Sequence, residues 1–141
     1  MPVVLLGGAL LSEYVGKLYP CEMCWWQRYP HGVAILLAIA ALMSPLTAPR
    51  TRVLTLFAAA AIAVSGAIGV FHAGVEYGWW QGLTRCSSGG AMTLDELMNV
   101  PLVRCDQVQF SFLSVSMAGW NAILSLGSAA VIAVLLWRKI A

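Results

Sequence analysis

The run Pro20-Cys21-Glu22-Met23-Cys24-Trp25-Trp26-Gln27-Arg28 sets two thiols two residues apart and a cation four residues beyond the second. Thiols at this spacing can close a small disulfide or hand electrons on. The loop they close is too short to remove much chain entropy, so the pair staples little and a redox use is the better reading. Arg28, one helical turn past Cys24, can hold a thiolate or the anion of a reduced cofactor against reprotonation. An interfacial anchor is the bland alternative for it. Two more cysteines, Cys86 and Cys105, complete the set. Taken alone, they read as an ordinary disulfide closing a long loop. Beside the first pair, they permit exchange by thiolate attack. Zinc is a rival use of four cysteines, but 18 residues separate Cys86 from Cys105 and the second C-x-x-C of a zinc signature is absent. Trp25 follows Cys24, which removes a C-x-x-C-H haem attachment. No metal site is expected.

The elements that must carry these residues are membrane helices. The chain has 141 residues, 60% of them hydrophobic and 10% charged, with a mean hydropathy of +0.81. A soluble domain carries roughly 25% charged residues. A net charge of +2 with no basic run gives no sign of a nucleic-acid partner. Charged residues mark the segment boundaries. Arg28 and Arg50 enclose 21 uncharged residues, Arg52 and Glu76 enclose 23, and Asp106 and Arg138 enclose 31, with histidine counted neutral. About 20 apolar residues span the hydrocarbon core as a helix. The pattern gives an all-α membrane protein, a bundle of four transmembrane helices over about 1–18, 26–46, 53–75 and 115–137. The whole chain, 1–141, reads as one domain. The first span is the shortest and carries Glu13 and Lys17 near its end, in the favourable i,i+4 order for a helix pair. It lacks the basic start and small-residue cleavage site of a signal peptide. The natural first helix can begin before residue 1.

With four spans, parity places the loop holding Cys21 and Cys24 and the loop of about 76–114 holding Cys86 and Cys105 on one side. The connection over 44–52 and both termini fall on the other. Lysines and arginines near the helix ends tie at four a side, Arg50, Arg52, Arg138 and Lys139 against Lys17, Arg28, Arg85 and Arg104. The positive-inside rule therefore does not decide. Disulfides persist in oxidising compartments, which puts the cysteine loops in the periplasm.

Pro20 and Cys21 open the second span, with Pro20 in the first helical turn. Positions 21, 24, 28 and 31 then fall on one face. Thiols at a helix start feel unpaired N–H groups and the dipole, which favour the anion. Pro30 is expected to kink the helix below the dithiol. In the long loop, Thr93-Leu94-Asp95-Glu96 fits a capping box for a short helix stopped by Pro101. Trp25, Trp26, Tyr29, Trp79, Trp80, Phe110, Phe112 and Trp120 form an aromatic belt at the outer interface. His31 and His72 read first as interfacial, and Glu76 as the end of the third span.

The motif Pro20-Cys21-x-x-Cys24-x-x-Gln27-Arg28 resembles the signature of the DsbB family of disulfide-forming quinone reductases. His72-Ala73-Gly74-Val75-Glu76, Trp79-Trp80, Cys86, Cys105-Asp106 and Ser116-Met117-Ala118-Gly119-Trp120-Asn121 follow in the same order, so the likeness covers essentially the whole chain. The resemblance implies a bacterial inner-membrane oxidoreductase that reoxidises a periplasmic DsbA-like thioredoxin-fold oxidase and passes the electrons to ubiquinone or menaquinone. By that analogy the partner attacks a Cys86–Cys105 disulfide and Cys86 forms the mixed disulfide. Cys105 exchanges with Cys21, and Cys24 is freed as the thiolate that faces the quinone. Arg28, Met117, His72 and Glu76 are the implied cofactor contacts. A scaffold with two inert disulfides and a relative dedicated to one client are the alternatives.

Overall fold

The structure, a computed structural model, describes residues 1–45, 47–84 and 103–138. Cys86 and the short helix expected after Thr93 lie outside the described residues. Four helices dominate: α1 (Pro2–Tyr14), α2 (Glu22–Leu42), α3 (Pro49–Glu76) and α4 (Met117–Arg138). Helix α3 is central and packs along both α2 and α4, while α1 leans on α2.

Among the described residues, α3 and α4 are long and apolar enough to cross a membrane. Helix α2 has 21 residues, a length of about 31 Å. Its first turns carry Gln27, Arg28 and His31, all buried, and this polar half keeps it from matching the composition of a span. Helix α1 has 13 residues and reaches only about 20 Å. It stops at Tyr14, short of the expected 18, and Lys17 sits beyond it at φ 54°. The anticipated Glu13–Lys17 helix pair does not form, because Lys17 is off the helix and Glu13 turns to Arg28.

The interior is built from small residues. Ala34, Ala58, Ala59, Ala118 and Ala122 are buried, with Ser65 and Ser125 fully so, whereas Leu36 (69%), Phe57 (61%) and Leu135 (56%) are exposed. Small side chains let helices approach closely where lipid, not water, surrounds the bundle. Gly66 and Gly69 set the α3–α4 contact. A Cβ at Gly69 would lie 3.0 Å from the Ala118 carbonyl oxygen, and one at Gly66 would lie 2.8 Å from Leu126 Cγ.

The ends of the helices are shaped locally. Cys21 is the N-cap of α2, at φ −75° and ψ 173°, and its sulfur accepts the Cys24 N–H at 3.3 Å. Pro20 therefore precedes the helix and does not occupy its first turn. The helix runs on through Pro30. Gly78 (φ +72°), just past the Tyr77 C-cap, closes the end of α3, with Trp79 N–H bonded to Gly74 O and Gly78 N–H to Val75 O, the paired bonds of a Schellman motif. Before α4 comes a hairpin, β1 (Ser111–Phe112) against β2 (Val115–Ser116). Leu113 and Ser114 both have positive φ, as a two-residue I′ turn requires. The Tyr77 hydroxyl accepts the Ser116 N–H at 3.1 Å, and Trp120 Nε1 donates to Phe112 O at 3.0 Å. Ser116 then caps α4 by accepting the Gly119 N–H. These bonds fix Met117 at the first turn of α4, on the same end of the bundle as the dithiol.

Candidate functional site

Three of the four cysteines meet at this end. Cys21, Met23, Val75 and Cys105 form one buried cluster, with Cys24, Phe71 and Val103 packed against it. The sulfurs of Cys21 and Cys24 are 2.7 Å apart. Cys21 lies ahead of the helix, and its thiol is pushed far above the ordinary range by hydrogen bonding to Cys105 and to Cys24, then by burial. Thr84 closes the far side, donating to the Cys105 sulfur at 3.5 Å. Next to Cys105, Arg104 forks onto Asp106 at 2.9 and 2.5 Å and holds that carboxyl below its usual range.

His72 and Glu76 come from the last turns of α3. His72 Nε2 is 3.6 Å from the Cys21 sulfur and 3.7 Å from Glu76 Oε1. Both side chains are buried, and Glu76 Oε2 has no hydrogen-bond partner among the described residues. The two sulfurs and His72 Nε2 lie within 4.8 Å of one another.

Arg28 is buried on α2 and bound to α1. Its Nη1 pairs with Glu13 Oε2, its Nη2 donates to Ala9 O at 3.1 Å, and its guanidinium lies 5.0 Å from the Trp25 ring centroid. A cation this shielded needs its partner, and Glu13 supplies it.

A cavity of about 320 Å³ opens between α1, α2, the end of α3 and the start of α4. Cys21, Cys24, Arg28, His72, Glu76 and Met117 all line it, so the expected dithiol and the four expected cofactor contacts share one space. Val4, Leu5, Leu6 and Ala9 give it an apolar wall. Its size falls in the usual range for small-molecule sites, and its make-up matches them too: mostly apolar, with a few converging polar groups. Cys105 is buried behind Cys21. Cys86 lies outside the described residues.

Sequence reasoning missed Glu13 as the partner of Arg28. It also gave no role to Ser65 and read Gln27 and Asn121 only as parts of motifs. Asn121 Nδ2 donates to Gln27 Oε1 at 2.7 Å and to Ser65 O at 3.2 Å, and Asn121 Oδ1 meets His31 Nε2 at 2.9 Å. The signal for these was present, since polar side chains inside apolar helices are costly and rarely idle.

A helical membrane protein whose buried dithiol abuts a third cysteine and a ligand-sized cavity belongs to the class of membrane thiol–disulfide proteins. The chain belongs to the DsbB family: the family model described as "Disulfide bond formation protein DsbB" matches residues 1–135. It is an oxidoreductase of disulfide bond formation by class. It is also 24% identical over 132 residues to "Uncharacterized protein RP370" of Rickettsia prowazekii (strain Madrid E), an alignment covering 88% of this chain and 75% of the relative. No solved structure matches the chain.

Proposed function

We propose that the protein reoxidises a periplasmic, DsbA-like thioredoxin-fold oxidase and delivers the electrons to a membrane quinone, ubiquinone or menaquinone. The observation that carries this reading is the contact of Cys105 with the Cys21–Cys24 dithiol beside a ligand-sized cavity. In the proposed relay, the partner's thiolate attacks a Cys86–Cys105 disulfide and bonds to Cys86. Cys105 leaves as a thiolate and attacks Cys21, so the Cys21–Cys24 bond breaks and Cys24 takes the electron pair. Each exchange makes one S–S bond and breaks one, with no net oxidation. The partner's second thiolate then attacks the partner sulfur of the mixed disulfide and frees Cys86, and Cys86 attacks Cys105 and frees Cys21. Closing the reduced Cys21–Cys24 pair removes two electrons and two protons from the protein, for which a membrane quinone would be the acceptor.

The residues fit such a group. The apolar α1 wall suits a lipid-soluble ring and tail, and Met117 offers a soft side chain to a ring face. Arg28 lines the same cavity one helical turn past Cys24, with its charge balanced by Glu13. Burial behind α1 keeps water from competing for that charge. The same reading makes all four helices membrane spans of one domain, 1–141, in a bacterial inner membrane, with the dithiol end in the periplasm. The small interior residues and exposed large apolar side chains support it.

The test is turnover of a reduced DsbA-like oxidase by purified protein with ubiquinone. Cys24→Ser should abolish turnover, by at least about 1,000-fold, as loss of an obligatory nucleophile does. Full turnover by that variant would sink the assignment.

A further inference from the structure

The relay assigns no work to a polar network that fills the bundle just beneath the dithiol. Gln27 Nε2 lies 3.2 Å from Met23 O and 2.8 Å from His72 Nδ1. Gln27 Oε1 receives Asn121 Nδ2 at 2.7 Å, and that same nitrogen lies 3.2 Å from Ser65 O. Two backbone carbonyls thus fix both amides. Reversing Gln27 would press its oxygen against Met23 O, and reversing Asn121 would press its oxygen against Ser65 O. Carbonyl oxygens only accept, so neither amide can turn.

The orientation of Gln27 decides the tautomer of His72. An amide N–H is aimed at Nδ1, so Nδ1 is the bare, accepting nitrogen. In the neutral ring the proton is then on Nε2. That atom faces the Cys21 sulfur at 3.6 Å, with Glu76 Oε1 at 3.7 Å and the Cys105 backbone also beside the ring. We propose that Gln27 and Asn121 are positioning residues that lock His72 as the Nε2–H tautomer, so that the ring donates a hydrogen bond to the Cys21 sulfur.

Two other roles for His72 fall away. A base for the Cys21 thiol would need a bare Nε2. So would a metal held by Cys21, Cys24 and His72, whose ring would carry its proton on Nδ1 and need an acceptor there, not the Gln27 amide.

The donor acts where Cys21 is a leaving group, a use that rests on the relay proposed above. When an incoming thiolate attacks Cys105 of a Cys21–Cys105 disulfide, a new S–S bond forms at Cys105. The Cys21–Cys105 bond breaks, and its electron pair settles on the Cys21 sulfur. An N–H aimed at that sulfur stabilises the departing thiolate and offsets part of the basicity that Cys105, Cys24 and burial give it, and a less basic thiol leaves faster.

The test uses the full chain in detergent with 15N-labelled histidine. The His72 signals should show a bare Nδ1 and a protonated Nε2, and Gln27→Glu, whose carboxylate cannot donate, should reverse them. In single-turnover exchange, His72→Leu should slow release of Cys21 about 10- to 100-fold, the worth of one hydrogen bond to a charged group. His72→Gln keeps an N–H and should recover most of that loss. A protonated Nδ1 in the unmodified protein, or His72→Gln as slow as His72→Leu, overturns the inference with the relay intact. Failure to trap a Cys21–Cys105 disulfide when the oxidised protein reacts with a DsbA-like partner lacking its second cysteine overturns the relay itself and leaves the tautomer readout standing.

Discussion

At the scale of single residues, the two thiols of the C-x-x-C pair are made unequal by position. Cys21 is the N-cap, 3% exposed, and is enclosed by Cys105, Cys24 and His72. Its thiol is raised by hydrogen bonds to Cys105 and Cys24, then by burial. Cys24 is one turn inside α2, where helix N–H groups point, and it lines the cavity. Only the thiolate is alkylated, so the reduced protein should react with iodoacetamide at Cys24 at least about tenfold faster than at Cys21. Because Cys21 holds its proton well above the ordinary thiol range, raising the pH from 7 to about 9 should not close that gap. Peptide mass mapping after timed quenching reads both rates. Equal labelling of the two cysteines would show that the buried hydrogen bonding does not protect Cys21.

At the scale of elements, α1 is the least secured part of the bundle. None of its residues is buried, and its polar hold on the rest is the grip of Arg28 on Glu13 and Ala9. Glu13→Gln leaves a buried guanidinium without its counter-charge and should cost roughly 3 kcal/mol in detergent unfolding, with α1 backbone amides exchanging faster. Adding Arg28→Gln removes the stranded charge and should restore at least half of that stability, although quinone use would stay impaired. A double variant no more stable than the single one would mean that Arg28 does not depend on Glu13. This contact also marks the limit of what the sequence discloses. Charge gaps located α3 and α4 closely, because a span is a property of one continuous segment. The face shared by Cys21, Cys24, Arg28 and His31 followed from helical period alone. The Glu13–Arg28 pair did not, because it depends on where α1 ends and how it leans on α2, and the i,i+4 spacing to Lys17 offered a more obvious partner. The hairpin before α4 was hidden for another reason. Its strands are two residues long, too short to show alternation, and its turn uses Leu113-Ser114 in place of Asn-Gly or Asp-Gly.

At the scale of the whole molecule, the site exists because three separate chain segments end at one level. The start of α2 brings the dithiol, the end of α3 brings His72 and Glu76, and the hairpin-held start of α4 brings Met117. The opposite level holds the short connection between α2 and α3 and the basic end of α4 at Arg138. By sequence, lysines and arginines near the helix ends tie at four a side, so charge alone gives the insertion machinery little direction. The proposed relay sets the expected sidedness instead, since a dithiol that cycles through disulfides belongs where the glutathione pool cannot reduce it. Single cysteines placed in exposed positions test this in intact cells, once the native thiols are blocked. Gln81→Cys, just past the end of α3, should take up a membrane-impermeant maleimide from the periplasm. Thr47→Cys, in the connection between α2 and α3, should stay unlabelled until the inner membrane is permeabilised. The reverse pattern would put the dithiol in the reducing compartment and remove the physical basis for a disulfide-generating relay. Labelling of both sites from outside would mean that α3 does not cross the membrane, despite its 28 apolar-rich residues.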